Sequence, residues 1–323
     1  MPQMTPEEIR LKQSPILSSL LLGMGQGGFV AQSLFPALPQ TLSSVMLARA
    51  GKERLRRYNL RRAPGATTKR VDIKYDGQVY TVNQYSVEVP IPRELIRESD
   101  ESRRLNVGNH LDISRIAMST ASSILGLDYE LEVAALAVDP ASYATGHAQA
   151  LAGGAKWSAA TGTPVTDIRA ASDLIRKKIG KRPNQLTVSA DGYAALVVNA
   201  EVRGYLPSTQ MGPATIEQLK TILNVPFIDV GDAIWVDGDG ASQDVWGNAA
   251  VLAYAPPIGG AGGGGDISLA EPAFGFTNVL EGHPYAEPPY FENASKSWIY
   301  GATYERRPNV ATPEAGFLFT NVK

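Results

Sequence analysis

The chain has 323 residues, of which 44% are hydrophobic and 19% charged, and a formal net charge of −2. That is an ordinary globular balance with material for a large core and two domains, and the near-neutral charge gives no global pull toward nucleic acid or an anionic membrane. Cysteine is absent, which excludes disulfides, thiolate metal sites and cysteine nucleophiles and suits a reducing cytoplasm.

Residues 1–48 carry glycines and prolines without a sustained period, yet they are apolar and neither charged nor low in complexity. An arm of this kind must bury its Leu, Ile and Phe side chains, against its own domain or against a neighbouring subunit. The apolar run Ile16 to Met24 follows Arg10 and Lys12 and faintly resembles a signal peptide. Glu7 and Glu8 spoil the positive region, Ser18 and Ser19 interrupt the run, and it is too short to span a bilayer. The expectation is a soluble, unsecreted protein.

From Lys52 to Lys74 the chain is densely basic, with Arg54, Arg56, Arg57, Arg61, Arg62, Lys69 and Arg70 against only Glu53 and Asp72. An isolated basic run is usually a solvated face. This one leads into alternating Val71, Ile73 and Tyr75, then Asp76-Gly77, a pair that suits a type I′ turn, then a strand from Val79 to Val89. The reading is a β-hairpin turning at Asp76-Gly77. A two-stranded ribbon alone in water is marginal, so one that projects from a body is expected to lie on something.

Glu94 to Arg104 reads as a mixed-charge helix or loop. Then comes the segment around which the chain is organised, Asn109 to Asp139. Ile113, Ala117, Ala121, Ile124, Leu127, Leu131, Ala134 and Val138 recur in steps of three and four, one stripe of a helix. Asn109 or Asp112 can cap its start, and Pro140 stops it. At 1.5 Å per residue it would run about 45 Å, a spine for other elements. Gly126 in its middle predicts a bend or a close contact.

Residues 143–163 read as a small-residue linker anchored by Trp157. Asp167 is expected to cap a helix with Ile168, Ala171 and Ile175 on its stripe and Gly180 at its end. A strand follows at Gln185 to Ser189, then helices from Asp191 to about Ala200 and from Ala214 to Leu223. Strands are expected at Phe227 to Val230, Ala233 to Val236 and Ala249 to Tyr254, which together make a compact α/β or α+β unit. Gly259 to Gly265 is a loop tip. The alternating aromatic runs Trp298 to Tyr304 and Gly316 to Val322 predict two closing antiparallel strands.

The chemical motifs do not reach function. Gly23, Gly25 and Gly28 match G-x-G-x-x-G, but Pro36 and Pro39 cut short any following helix and no acid stands about 20 residues on. The glycines of 259–265 lack a following Gly-Lys-Ser/Thr. Asp237, Asp239 and Asp244 miss the calcium-loop pattern, since Ala241 and Ser242 occupy required positions, so a turn between strands is expected. His110, His147 and His283 are isolated, and no G-x-S-x-G elbow occurs. Glu130 and Glu132 fall on different helix faces, which suits solvation. No catalytic, cofactor-binding or metal-binding residue is assigned.

Several segments together resemble the major capsid protein of tailed bacteriophages, with the Hong-Kong-97 fold. They are GAKWS (Gly154 to Ser158), PVTDIRAA (Pro164 to Ala171), GKRPNQLTVS (Gly180 to Ser189), DVWGNAAVLAY (Asp244 to Tyr254) and FGFT (Phe274 to Thr277), preceded by RRAPG before a ribbon and YSVEVPIPREL after it. The resemblance covers roughly residues 35–280 and rests on the order of the motifs. It implies an α+β chain divided into an N-terminal arm (1–48), an extended β-hairpin loop or E-loop (49–95), a peripheral domain (96–185 and 291–323) with the spine helix 109–139, and an axial domain (186–290) whose loops meet at five-fold and six-fold axes. It implies a structural shell protein, not an enzyme, forming pentamers and hexamers in the virion after assembly in the host cytoplasm. Portal protein, packaged double-stranded DNA bound without sequence reading, and separate scaffold or cement proteins would be partners, with no membrane and no cofactor. The expected contacts between subunits are Arg56, Arg57, Arg61, Arg62, Lys74, Tyr75, Asp76 and Gly77. Some relatives weld subunits through a Lys–Asn isopeptide bond aided by a Glu. Lys74 lies near the ribbon, but no partner Asn or Glu is identifiable, and that chemistry is not assigned. Two alternatives stand beside this reading: an encapsulin-like compartment shell, and an unrelated cytoplasmic α+β enzyme with a pocket near the glycine-rich loop.

Overall fold

The computed structural model describes residues 28–50, 55–58, 60–64, 67–68, 70, 75–104, 113–207, 212–256 and 272–323. The apolar run 16–24, the first residues of the expected spine (109–112), Lys74 and the glycine-rich tip 259–265 lie outside them. Among the described residues the elements run in order: α1 (Ala31–Leu34), β1 (Ala37–Gln40), β2 (Ser44–Ala50), β3 (Tyr75–Thr81), β4 (Asn83–Pro92), α2 (Arg93–Arg104) and α3 (Ile113–Val138). After the spine α3 come β5 (Ala148–Ala150), α4 (Pro164–Ile179), β6 (Gln185–Ser189), α5 (Ala190–Val198), α6 (Ala200–Gly204) and α7 (Ile216–Leu223). The chain continues with β7 (Phe227–Gly231), β8 (Ile234–Val236), β9 (Ser242–Asp244), β10 (Ala249–Ala253), β11 (Gly275–Leu280), β12 (Tyr285–Ala286), β13 (Tyr290–Glu292), β14 (Ser297–Val310) and β15 (Gly316–Thr320). No described helix is long and apolar enough to cross a membrane.

Strand β14 is the axis of one sheet. One edge pairs antiparallel with β4 from Ser297 opposite Pro92 to Arg306 opposite Asn83. Its other edge takes β13, β12 and β11 in succession, and β11 takes β1 in parallel. The second sheet runs β5-β15-β10-β6-β7. Its central strands β6 and β10 are buried along their whole length, as the unbroken apolar run of Ala249 to Ala253 requires. The expected pair of closing C-terminal strands is therefore corrected: β14 and β15 belong to different sheets and do not pair with each other. Alternation marks a strand but not its partner. The sheet of β6 also recruits β5 and β15, segments that the sequence division set with the spine.

The spine joins the two sheets. Ala117, Met118, Ala121 and Leu125 pack with Ile91, Tyr300 and Ala302 against the β14 sheet. Further along, Tyr129, Val133, Ala134 and Ala137 enter the larger core with Trp157, Ile168, Leu186, Val251 and Phe319. The buried stripe thus steps by four through 117, 121, 125, 129, 133 and 137. The expected stripe placed Ile124 and Leu127 on it; Ile124 is 47% exposed, because two sheets flanking one helix rotate the buried face away from it. Gly126 makes the expected close contact: a Cβ there would lie 2.8 Å from Phe29 Cε2. The helix stops at Val138, and Asp139 Oδ1 accepts from the Ala141 amide in the turn that Pro140 begins.

Local signals elsewhere hold with small shifts. Helix α4 begins at Pro164, a proline at its first position, so Asp167 sits in the first turn and accepts from the Trp157 indole at 3.1 Å where a cap was expected. It ends at Gly180 as expected. Ser189, not Asp191, caps α5 through the Gly192 amide, and Asn199 splits the expected single helix by capping α6. Thr215 and Gln218 form a capping box at the start of α7. Asp237 accepts from the amides of Asp239 and Ala241 in the turn joining β8 to β9, the turn reading of that acidic cluster.

Candidate assembly surfaces

Three places combine burial or exposure with charge in a way that bears on assembly. The first ties the arm to the body. Glu130, on the spine, is fully buried. Its carboxylate accepts the Val30 and Ala31 amides, each at 2.9 Å, and the Trp246 indole at 2.6 Å. The two amides open the short helix α1, whose first N–H groups have no partner inside the helix, so a carboxylate is their natural acceptor. Burial raises the Glu130 pKa above the ordinary carboxylate value, while the three donors pull against that rise. Glu130 therefore holds arm, spine and the loop before β10 at one point. The expectation of a solvated acid is overturned, because helical periodicity shows which residues share a face but not which face an arm will cover.

The second is a caged cation. Arg306 is fully buried, with its guanidinium 2.7 Å from Asp128 and 3.0 Å from Glu132, both on the spine. The rings of Tyr85, Tyr304 and Tyr129 lie 4.2, 4.9 and 5.2 Å from its Cζ. The Tyr85 hydroxyl donates to Glu132. A planar delocalised cation suits stacking with carboxylates at its rim, which an ammonium would not match. The cage clamps β4 and β14 onto the spine, and β4 follows directly from the ribbon strand β3.

The third is the ribbon itself. Strands β2 and β3 pair antiparallel from Ser44 opposite Thr81 to Ala50 opposite Tyr75. Tyr75, Asp76 and Gly77 are hence strand residues, with Asp76 opposite Arg49 and Gly77 opposite Ala48. The type I′ turn expected at Asp76-Gly77 is corrected: the hairpin closes somewhere in 51–74. A turn-competent dipeptide is overridden where the partner strand lies upstream and offers a continuous ladder. Arg56, Arg57, Arg61 and Arg62 are all exposed in this connection; Lys74 lies outside the described residues. At the ribbon's root Tyr80 is buried and meets Phe276 edge-on at 5.6 Å, which fixes that end to the body. The structure brings Tyr75, Asp76 and Gly77 together on one strand and sets the arginines in the loop beyond its far end.

Sequence reasoning missed Glu130, Trp246 and Arg306. A signal for Arg306 existed in the Tyr304-Glu305-Arg306 run of an otherwise alternating strand; for Glu130 there was none. Among the described residues no group of three or more His, Asp or Glu side chains is placed to hold a metal.

No family model matches the sequence. The chain is 30% identical over 309 residues to the major capsid protein of Burkholderia phage BcepMu, an alignment covering 95% of this chain and 96% of that one. The crystal structure of a phage-related protein from Bordetella bronchiseptica RB50 superposes with a TM-score of 0.78 at 32% identity, covering 96% of this chain and 97% of the other. The capsid structure of cyanophage P-SCSP1u gives a TM-score of 0.55 at 13% identity, over 90% and 88% of the two chains, and shows the shared fold. The fold is thus the Hong-Kong-97 type, and identity over nearly the whole length favours the capsid reading over the compartment-shell and enzyme alternatives. The chain belongs to the phage major capsid protein family.

Proposed function

We propose that copies of this chain assemble through pentamers and hexamers into a closed shell around the double-stranded DNA of a tailed phage, in the host cytoplasm, and persist in the virion. The observation that carries the proposal is the β2–β3 ribbon. Among the described residues it pairs with no strand of either sheet, and a two-stranded ladder gains little stability alone in water. Neighbouring subunits supply the missing surface. The ribbon (about 44–81) is the extended loop and the chain before it the arm. The spine with the β14 sheet forms the peripheral domain; the β5-β15-β10-β6-β7 sheet with its helices forms the axial domain, so 148–150 and 316–320 move to the axial side of the division. A portal protein, and separate scaffold and cement proteins where used, complete the partner set.

Arg56, Arg57, Arg61 and Arg62, at the far end of the ribbon, meet carboxylates of a neighbour in this reading, since the guanidinium fork takes a carboxylate through two hydrogen bonds. Electron microscopy and sedimentation of the expressed protein test the assembly: particles or capsomers support it, and a clean monomer at micromolar concentration overturns it. Arg61→Glu with Arg62→Glu tests the boundary role. Failure to form empty shells supports it; normal empty shells with a defect only in DNA content assign the arginines to phosphate instead.

A further inference from the structure

A groove of about 530 Å³ runs beside the spine, bounded by Phe29, Ser119, Thr120, Ser123, Ile124, Leu127 and the β7–β8 loop with Asp232, Ala233 and Ile234. Its spine wall carries no charge. Ile116, Ile124 and Ile234 stand 48, 47 and 56% exposed along it, and Thr120 turns its hydroxyl back to the Ile116 carbonyl at 2.9 Å, which leaves its methyl outward. An apolar helix face of this length, uncovered within the subunit, marks a contact site.

The chain itself enters the body at one end of this groove. Phe29 lies over Gly126, and Gly28, at φ +96°, sits beside Asp232 and Ala233. Everything N-terminal to Gly28 therefore departs from the groove's mouth. The residues there are Gly25-Gln26-Gly27, a short pliant tether, and before them Ile16 to Met24. No charged residue occurs between Lys12 and Arg49. Laid as a helix, this run puts Leu17, Leu20, Leu21 and Met24 at i, i+3, i+4 and i+7, one apolar stripe, the pattern of an anchor helix in a groove. From Leu17 to Met24 such a stripe is about 10 Å long, and the wall from Ile116 to Ile124 is about 12 Å. The tether of three residues reaches at most about 14 Å, enough to turn into the groove and too short to favour a distant site. A tether that short also holds the segment at roughly millimolar effective concentration.

We propose that residues 16–24 dock in this groove of their own subunit, antiparallel to the spine, with Leu17, Leu20, Leu21 and Met24 covering Ile116, Ile124 and Ile234. The docked arm then extends the anchoring that Glu130 begins at Val30 and Ala31. This inference does not depend on shell formation and is tested on dispersed subunits.

The absence of native cysteine makes a disulfide test clean. Leu21→Cys is combined with Ser123→Cys in the full chain, and separately with Val198→Cys, an exposed position on α5 away from the groove. Dilute subunits are oxidised mildly and run without reductant, and hydrogen exchange is followed over 113–127. The expected result is an intrachain crosslink, of monomer mass, formed at least tenfold faster for the Ser123 pair than for the Val198 pair. Leu20→Glu with Leu21→Glu in the cysteine-free chain is expected to lower exchange protection on the groove wall while leaving the β6–β10 amides unchanged. Crosslinks only between chains, equal rates for the two pairs, or unchanged wall protection in the Glu variant overturn the proposal.

Discussion

The indole of Trp246 donates to the carboxylate of Glu130 across 2.6 Å of buried space, joining the loop before β10 to the middle of the spine. The same carboxylate receives the Val30 and Ala31 amides. Three elements distant in sequence thus share a single acceptor with no cation beside it among the described contacts.

Truncating Glu130 leaves three buried donors without an acceptor. Glu130→Ala is expected to cost about 3–5 kcal/mol, read as a lower urea midpoint of the subunit. Trp246→Phe removes one donor and keeps most of the ring, so about 1–2 kcal/mol is expected. If the arm contributes through this point, protease accessibility near Val30 rises in Glu130→Ala more than in Trp246→Phe. Equal stability of Glu130→Ala and the parent chain would show that the contact carries nothing.

His283 gives the pH dependence a sign. Burial depresses its pKa below the ordinary 6.5, and its Nδ1 accepts the Glu305 amide at 3.1 Å, a role that the protonated ring gives up if the proton goes there. The folded state therefore binds fewer protons than the unfolded chain between the depressed value and 6.5. The stability it contributes is present above pH 6.5 and is lost as the pH falls through the folded pKa, at up to about 1.4 kcal/mol per pH unit. Denaturation of the parent and of His283→Gln from pH 7.5 to 4.5 measures this: the parent should lose stability more steeply below pH 6.5. Parallel profiles would remove His283 from the account.

Gly77 distinguishes a strand from a turn. Inside β3, opposite Ala48, it weakens the ladder, and Gly77→Val is expected to strengthen the ribbon by roughly 0.5–1 kcal/mol. Slower hydrogen exchange at Met46 to Ala50 would follow, with shells still forming. Were Asp76-Gly77 the hairpin turn, valine would oppose its positive φ and the ribbon amides would exchange faster.

What the sequence determined by itself was local and periodic. The 3.6-residue recurrence after Ile113, the stop at Pro140, Gly180 at the end of α4 and the strand Gln185 to Ser189 all follow from short-range sterics and burial, and each appears where it was expected. The acids at Asp237 and Asp239 read as a turn because an Asx side chain satisfies nearby amides wherever it lies. The order of weak motifs pointed to the capsid family without any contact being known.

The tertiary structure alone decided what pairs with what. Asp76-Gly77 has turn chemistry, yet β2 upstream supplies a longer ladder and makes it strand. The alternation of 298–304 and 316–322 could not say that one strand is the axis of the first sheet and the other a member of the second. Glu130 reads as a surface acid until an arm a hundred residues away covers it, and Arg306 reads as a surface cation until three tyrosines and two spine carboxylates close around it. Spacing along a chain fixes which side chains share a face, and only the partners that fold onto that face determine whether a charge there meets water or is held in place by buried hydrogen bonds and rings.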